Sequence, residues 1–141
     1  MSYSDVLPYF RTYIAAAGPF TEVDKPFDQS IPSSIIDRSY SLEVERVSGI
    51  NRNMIDFSST VSIFVNLYRK GYISESKARE NALIDSELII KSCMKIVNSN
   101  TQPSIKNVKM RTVDINPVPN NDNTVVARIN FDVYIIIDPN L

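Results

Sequence analysis

Apolar and polar positions alternate along the last stretch of the chain, Thr124 to Asp138, for longer than anywhere else. Val125, Ala127, Ile129, Phe131, Val133, Ile135 and Ile137 share one side, and Arg128, Asn130 and Asp132 share the other. A period of two marks a strand with one buried face. Towards its end, Tyr134 and Ile136 make the second face apolar as well. At roughly 3.3 Å per residue, such a strand extends about 46 Å. A compact domain of this length has a radius of gyration near 14 Å, equivalent to a sphere about 37 Å across. The far end is therefore expected to project or to meet a neighbour.

The same patterning predicts the other elements. Val6, Leu7, Phe10, Tyr13, Ile14 and Ala17 recur at helical spacing, with Ser4 or Asp5 as cap and Gly18-Pro19 as stop. Pro8 is tolerable because it falls in the first turn. Phe20 to Asp37 carries Pro26 and Pro32 and the apolar residues Phe20, Phe27, Ile31, Ile35 and Ile36. That is too long and too greasy for a simple connector, so it packs back on its own core or docks on a neighbour. Ser39 to Val47 alternates with Tyr40, Leu42 and Val44 on one face, and Phe57 to Tyr68 with Val61, Ile63, Val65 and Leu67. The two read as an antiparallel pair.

A long helix is predicted from a Ser74 cap to about Asn98, with Glu75 in its first turn. Its expected apolar stripe comprises Ala78, Ala82, Leu83, Ile89, Ile90, Cys93, Met94, Ile96 and Val97. After a break at Thr101 to Ser104, a strand with mixed faces runs from Ile105 to Asn116, and the turn-rich Pro117 to Asn123 leads into the final strand. The order α-β-β-α-β-β predicts one α+β domain spanning residues 1–141: an antiparallel sheet of two hairpins with helices packed on it.

Composition narrows the function classes. Of 141 residues, 43% are hydrophobic and 22% charged, ordinary globular usage, and the net charge of −1 argues against a protein that binds nucleic acid by neutralising phosphates. The single Cys93 excludes an intrachain disulfide and fits a reducing compartment. No apolar run reaches membrane-span length and no signal pattern opens the chain, so a soluble protein made in a cytoplasm is expected, with no membrane partner. With no histidine and only three scattered glycines, the commonest general base and metal ligand and the phosphate-cradling loops are missing, and enzyme chemistry starts from a weak position.

Individual motifs agree. Ser74-x-x-Lys77 and Ser92-x-x-Lys95 match a serine-acylation spacing, but the companion motifs are absent, and a cap and a plain helix position explain them better. Glu43 and Glu45 share a strand face about 6.6 Å apart, a geometry open to glycoside hydrolysis but more simply facing water or a partner's basic groups. Cys93 falls in an apolar stripe and is expected to be buried and inert. Arg69-Lys70 could contact phosphate, but reads more simply as a solvated strand end or a rim charge at a subunit contact. Asp122, Asp132 and Asp138 are too dispersed for a calcium loop; they form a solvated face, or some line a channel and repel a passing DNA backbone.

Lys25-Pro26-Phe27, Ile31-Pro32-Ser33-Ser34 and Asp37-Arg38-Ser39-Tyr40-Ser41-Leu42 resemble segments of the tail terminator proteins of long-tailed bacteriophages, also called tail completion or head–tail joining proteins. So does Val65-Asn66-Leu67-Tyr68-Arg69-Lys70-Gly71, followed by a long helix and a closing alternating strand. The likeness runs from the first helix to the last strand, through motifs that are structural rather than catalytic.

The resemblance implies a virion protein of the neck, assembled in the host cytoplasm as a homo-oligomer, usually a hexameric ring, on the head-proximal end of the tail tube. There it would halt polymerisation of the tube protein and offer a surface to the head connector or stopper, while DNA passes through without specific binding. Such a role needs no active site, cofactor or metal. A closed ring needs two different sticky surfaces per subunit. The expected contacts are Phe27, Ile31 and Ile35 on one subunit and Tyr134 and Ile136 on the next, with Asp132 lining the channel. The alternatives are a neck connector or stopper, a tail assembly chaperone absent from the mature virion, and a small carboxylate enzyme.

Overall fold

The computed structural model describes residues 3–23, 36–52, 57–97, 104–119 and 121–137. They form a 3-10 turn (Tyr3–Val6), helix α1 (Leu7–Ala17), a short strand β1 (Thr21–Glu22), strands β2 (Ser39–Arg52) and β3 (Phe57–Lys70), helix α2 (Glu75–Cys93), and strands β4 (Ser104–Pro117) and β5 (Thr124–Ile137). The class is α+β, with five strands in the order β1-β2-β3-β5-β4. The pairs β2/β3, β3/β5 and β4/β5 are antiparallel, whereas β1 runs parallel to β2. The sheet is thus mixed, not purely antiparallel as expected. Strand β1 is held by Thr21 N–H donating to Arg38 O (3.1 Å) and Val23 N–H donating to Tyr40 O (2.8 Å). Two residues offer no alternation to read.

Strand β5 does not project. Strands β2 to β5 each have 14 residues, and β3 pairs with β5 from Lys70–Thr124 to Phe57–Ile137. The strand is long because its two neighbours, β3 and β4, are equally long, so a slab rather than a sphere sets the dimension.

Both helices lie on one face. Val61, Ile63, Val65 and Leu67 of β3 and Val125, Ala127, Ile129, Phe131, Val133 and Ile135 of β5 are buried there, with Val6, Phe10 and Ile14 from the N-terminus. The rings of Phe10 and Phe131 meet with centroids 5.4 Å apart at 60°. Each such fully buried apolar side chain contributes about 1.5–3 kcal/mol. Helix α2 sits close because its inward residues include Ala78, Ala82 and Ser86, and Ser92 Oγ donates to Tyr13 O (2.6 Å), tying it to α1.

Three helical expectations are corrected. Helix α1 is capped by neither Ser4 nor Asp5: Val6 holds the N-cap position without a side-chain bond, because the 3-10 turn precedes it. Helix α2 ends at Cys93, five residues short of Asn98. Leu83, Met94 and Val97, assigned to its buried stripe, are exposed. The Ser74 cap stands as read, with its hydroxyl accepting from Lys77 N–H (3.1 Å).

Candidate functional site

Two segments singled out in the sequence meet at one end of the sheet. The turn before β2 places Asp37 and Arg38 beside the end of β3, where Arg38 N–H donates to Tyr68 O (2.9 Å). Arg38 adopts φ 62°, a left-handed conformation costly to any residue with a Cβ, and its backbone and side-chain contacts hold it there. Its guanidinium stacks over Phe20 (4.8 Å) and pairs with Asp85 of α2, Nε to Oδ2 at 3.2 Å and Nη2 to Oδ1 at 3.1 Å. Arg69 Nε lies 2.7 Å from the same carboxylate, an ion pair without hydrogen-bond alignment. Its Nη1 donates to both oxygens of Asp37 (3.0 and 2.9 Å). Asp37 also accepts from Lys70 N–H (2.8 Å) and Tyr72 O–H (3.1 Å). Burial alone would raise the pKa of Asp37, but the Lys70 amide, Arg69 and Tyr72 together hold it below the ordinary 3.8.

This Asp37–Arg69–Asp85–Arg38 chain clamps α2 to both strands. Gly71 serves the same junction: a Cβ there would overlap Ser74 O and lie 2.5 Å from Ala78 N. Arg69, expected at a solvated strand end, is instead largely enclosed between two carboxylates. Sequence reasoning passed over Asp85. The signal available was spacing, since Ala78, Ala82, Asp85, Ile89, Cys93 and Ile96 continue one inward stripe only if Asp85 belongs to it.

The sheet face opposite the helices is a polar lattice. Ser62 Oγ donates to Glu45 (2.9 Å) and contacts Asn130 (3.0 Å), and Asn66 Nδ2 donates to Glu43 (3.0 Å) and Ser41 (3.3 Å). Arg128 donates to Asn66 (3.0 Å) and Glu43 (3.4 Å) with its guanidinium 4.0 Å above the Phe64 ring. Glu43 and Glu45 therefore find their donors within their own chain, an arrangement that holds strands in register rather than poising an acid and a base.

Of the expected contact residues, Phe27, Ile31 and Ile35 lie outside the described residues. Tyr134 is exposed and Ile136 half-buried, and both line an open cleft of about 420 Å³ with Ser58, Ser59, Thr60, Lys106 and Ile135. Asp132 is half-buried on the polar face with Arg111 Nε 3.5 Å away. Cys93 is buried as expected, and burial pushes its thiol up to about 12, leaving almost no thiolate at neutral pH. Among the described residues, no group of three or more Cys, Asp or Glu could hold a metal ion, and no helix is long and apolar enough to cross a membrane.

Exposed apolar side chains cluster elsewhere. Leu83, Ile84 and Leu88 stand on the outward face of α2, and Tyr72 and Ile73 precede it. An exposed apolar group such as Leu83, Ile84 and Leu88 is a candidate contact surface.

The fold is similar to that of a protein chain in the virion of a native gene transfer agent (GTA) particle, with a TM-score of 0.54 over 87% of this chain and 84% of that one. Identity is 11%, so the likeness is one of fold. No family model and no curated protein matches the chain.

Proposed function

We propose that this chain is a structural virion protein that forms a hexameric ring at the head-proximal end of a phage-type tail tube, ends tube polymerisation and presents the surface that joins the head. The observation that carries this reading is the fold shared, over most of both chains, with a component of a gene transfer agent virion. Two features support it. The carboxylates that could have served catalysis are committed to bonds within the sheet. The molecule also carries two separate surfaces, the α2 ridge and the Tyr134–Ile136 cleft, as a head-to-tail ring demands. No cofactor enters, and DNA would pass through the ring without a specific contact. Asp132 faces that channel in this reading.

The test mixes purified protein with polymerising tube protein and measures tube length by electron microscopy. Capped tubes of reduced length, each with a ring at one end, are expected. Protein that stays monomeric and leaves tube length unchanged overturns the proposal. Mass spectrometry of mature particles separates it from an assembly chaperone, which would be missing there.

A further inference from the structure

The exposed face of α2 carries Glu80, Glu87 and Lys91, and set among them is an apolar group. Leu83, Ile84 and Leu88 are 55%, 51% and 41% exposed, while Asp85 and Ser86 between them turn inward and are buried. In this middle turn, and not along the rest of the helix, the usual amphipathic arrangement is reversed. The three residues sit at i, i+1 and i+5, two adjacent rows that form a short ridge, with exposed Glu87 on its flank.

A receptor of matching character lies on different elements of the same chain. The cleft beside the end of β5 is floored by Tyr134, Ile135 and Ile136 and bounded by Thr60 and Lys106. Lys106 and Lys109 are both exposed, and Lys109 Nζ stands 5.6 Å from the Tyr134 ring. Ridge and cleft both present apolar side chains, and exposed Glu87 beside the ridge is opposite in charge to exposed Lys106 beside the cleft.

We propose that the Leu83–Ile84–Leu88 ridge of one copy seats in the Tyr134–Ile136 cleft of a second copy, with Glu87 facing Lys106. Because the two patches differ, the contact is head-to-tail and repeats around a ring instead of closing as a two-fold dimer. The inference rests on the ring reading above and names its contact surfaces. Apolar seating supplies the affinity, and the flanking charges set register and orientation.

The experiment measures self-association of the full chain by light scattering over a concentration series, with thermal melts as a folding control. Leu83→Gln with Leu88→Gln should raise the half-assembly concentration at least about tenfold. Glu87→Lys or Lys106→Glu alone should weaken assembly by about threefold, and the two together should restore it to within about twofold of the parent. Assembly unchanged in the leucine variants, a charge pair that does not rescue, or a parent that is monomeric at every concentration overturns the contact. Tube capping is read in parallel and separates the two claims. Rings that cap tubes despite the leucine changes defeat this contact alone, and ridge-dependent rings that never cap tubes defeat only the function proposed above. A parent chain that is monomeric by itself yet captured through its ridge by tube protein defeats the second-copy assignment.

Discussion

The two faces of α2 invert the usual rule in the middle turn alone, for Ala78, Ala82, Ile89 and Cys93 lie inward while Glu80, Glu87 and Lys91 lie outward. The inward face spends its middle on a buried carboxylate and a buried hydroxyl, Asp85 and Ser86, while the outward face shows Leu83, Ile84 and Leu88. The inward polar group is tolerable because Arg38 and Arg69 bring two guanidinium charges to it, and a buried charge is stable only when so matched. The outward apolar groups have no such match among the described residues. One face is closed by the chain itself; the other leaves apolar side chains in water. Helix position alone does not distinguish core from contact surface, and the partner of each side chain does.

The strongest way to break that contrast is to remove the inward carboxylate. Asp85→Ala leaves two largely enclosed guanidinium groups facing each other and should cost about 3 kcal/mol, roughly a 10 °C fall in melting temperature. A loss below about 1 kcal/mol in denaturant titration would mean the clamp is ornamental and the inward face owes its stability to its alanines. Gly71→Ala attacks the same junction sterically, since the added methyl overlaps the first turn of α2, and should cost about 1–3 kcal/mol by forcing the helix start away from β3.

A smaller effect appears as a pH dependence. Asp37 titrates below 3.8 in the folded chain, whereas in the unfolded chain it returns to the ordinary value. A carboxyl with a depressed folded pKa stabilises the fold above the unfolded pKa and gives that up as pH falls through the folded one. Stability should therefore decline on acidification below about pH 4. Asp37→Asn should lower the neutral plateau and flatten the acid slope, measured by denaturant titration at a series of pH values. A variant curve parallel to the parent's would show that Arg69 and the Lys70 amide do not act through the Asp37 charge.

Much of this architecture was legible along the chain, for identifiable reasons. Strands β3 and β5 announced themselves because each has one face against the helices and one against polar neighbours, so the period of two survives. Strand β4, exposed along most of its length and bulged twice, shows mixed faces, and β2 runs on to Arg52, past the alternation that ends at Val47. Strand β1 was invisible because it is two residues long and exists through bonds to β2 that its side chains do not encode. The end of α2 was misplaced because Ile96 remains buried beyond the last helical turn, so its apolarity reads as continued helix. Asp37-Arg38 and Tyr68-Arg69 stood out as motifs, but their common partner Asp85 lies 47 residues beyond Arg38 and looks like any solvated helix carboxylate. Local pattern reports which face is buried; it does not report which charge waits across the core.

The outward face supplies the mildest test and the one most specific to the contrast. Leu83→Gln and Leu88→Gln keep helix propensity nearly constant, so any change reflects lost apolar contact. Leu83 already has more than half its surface in water, and each change should cost no more than about 1 kcal/mol in the isolated subunit. That is a fraction of the Asp85→Ala loss, although a leucine is replaced in one case and an aspartate in the other. If either glutamine variant destabilised the monomer as much as Asp85→Ala, the ridge would belong to the chain's own core and the two faces would not differ in kind. If both remained near the parent while assembly failed, the apolar side chains would be serving a contact between molecules, and their exposure in one subunit would be a requirement of the assembled one.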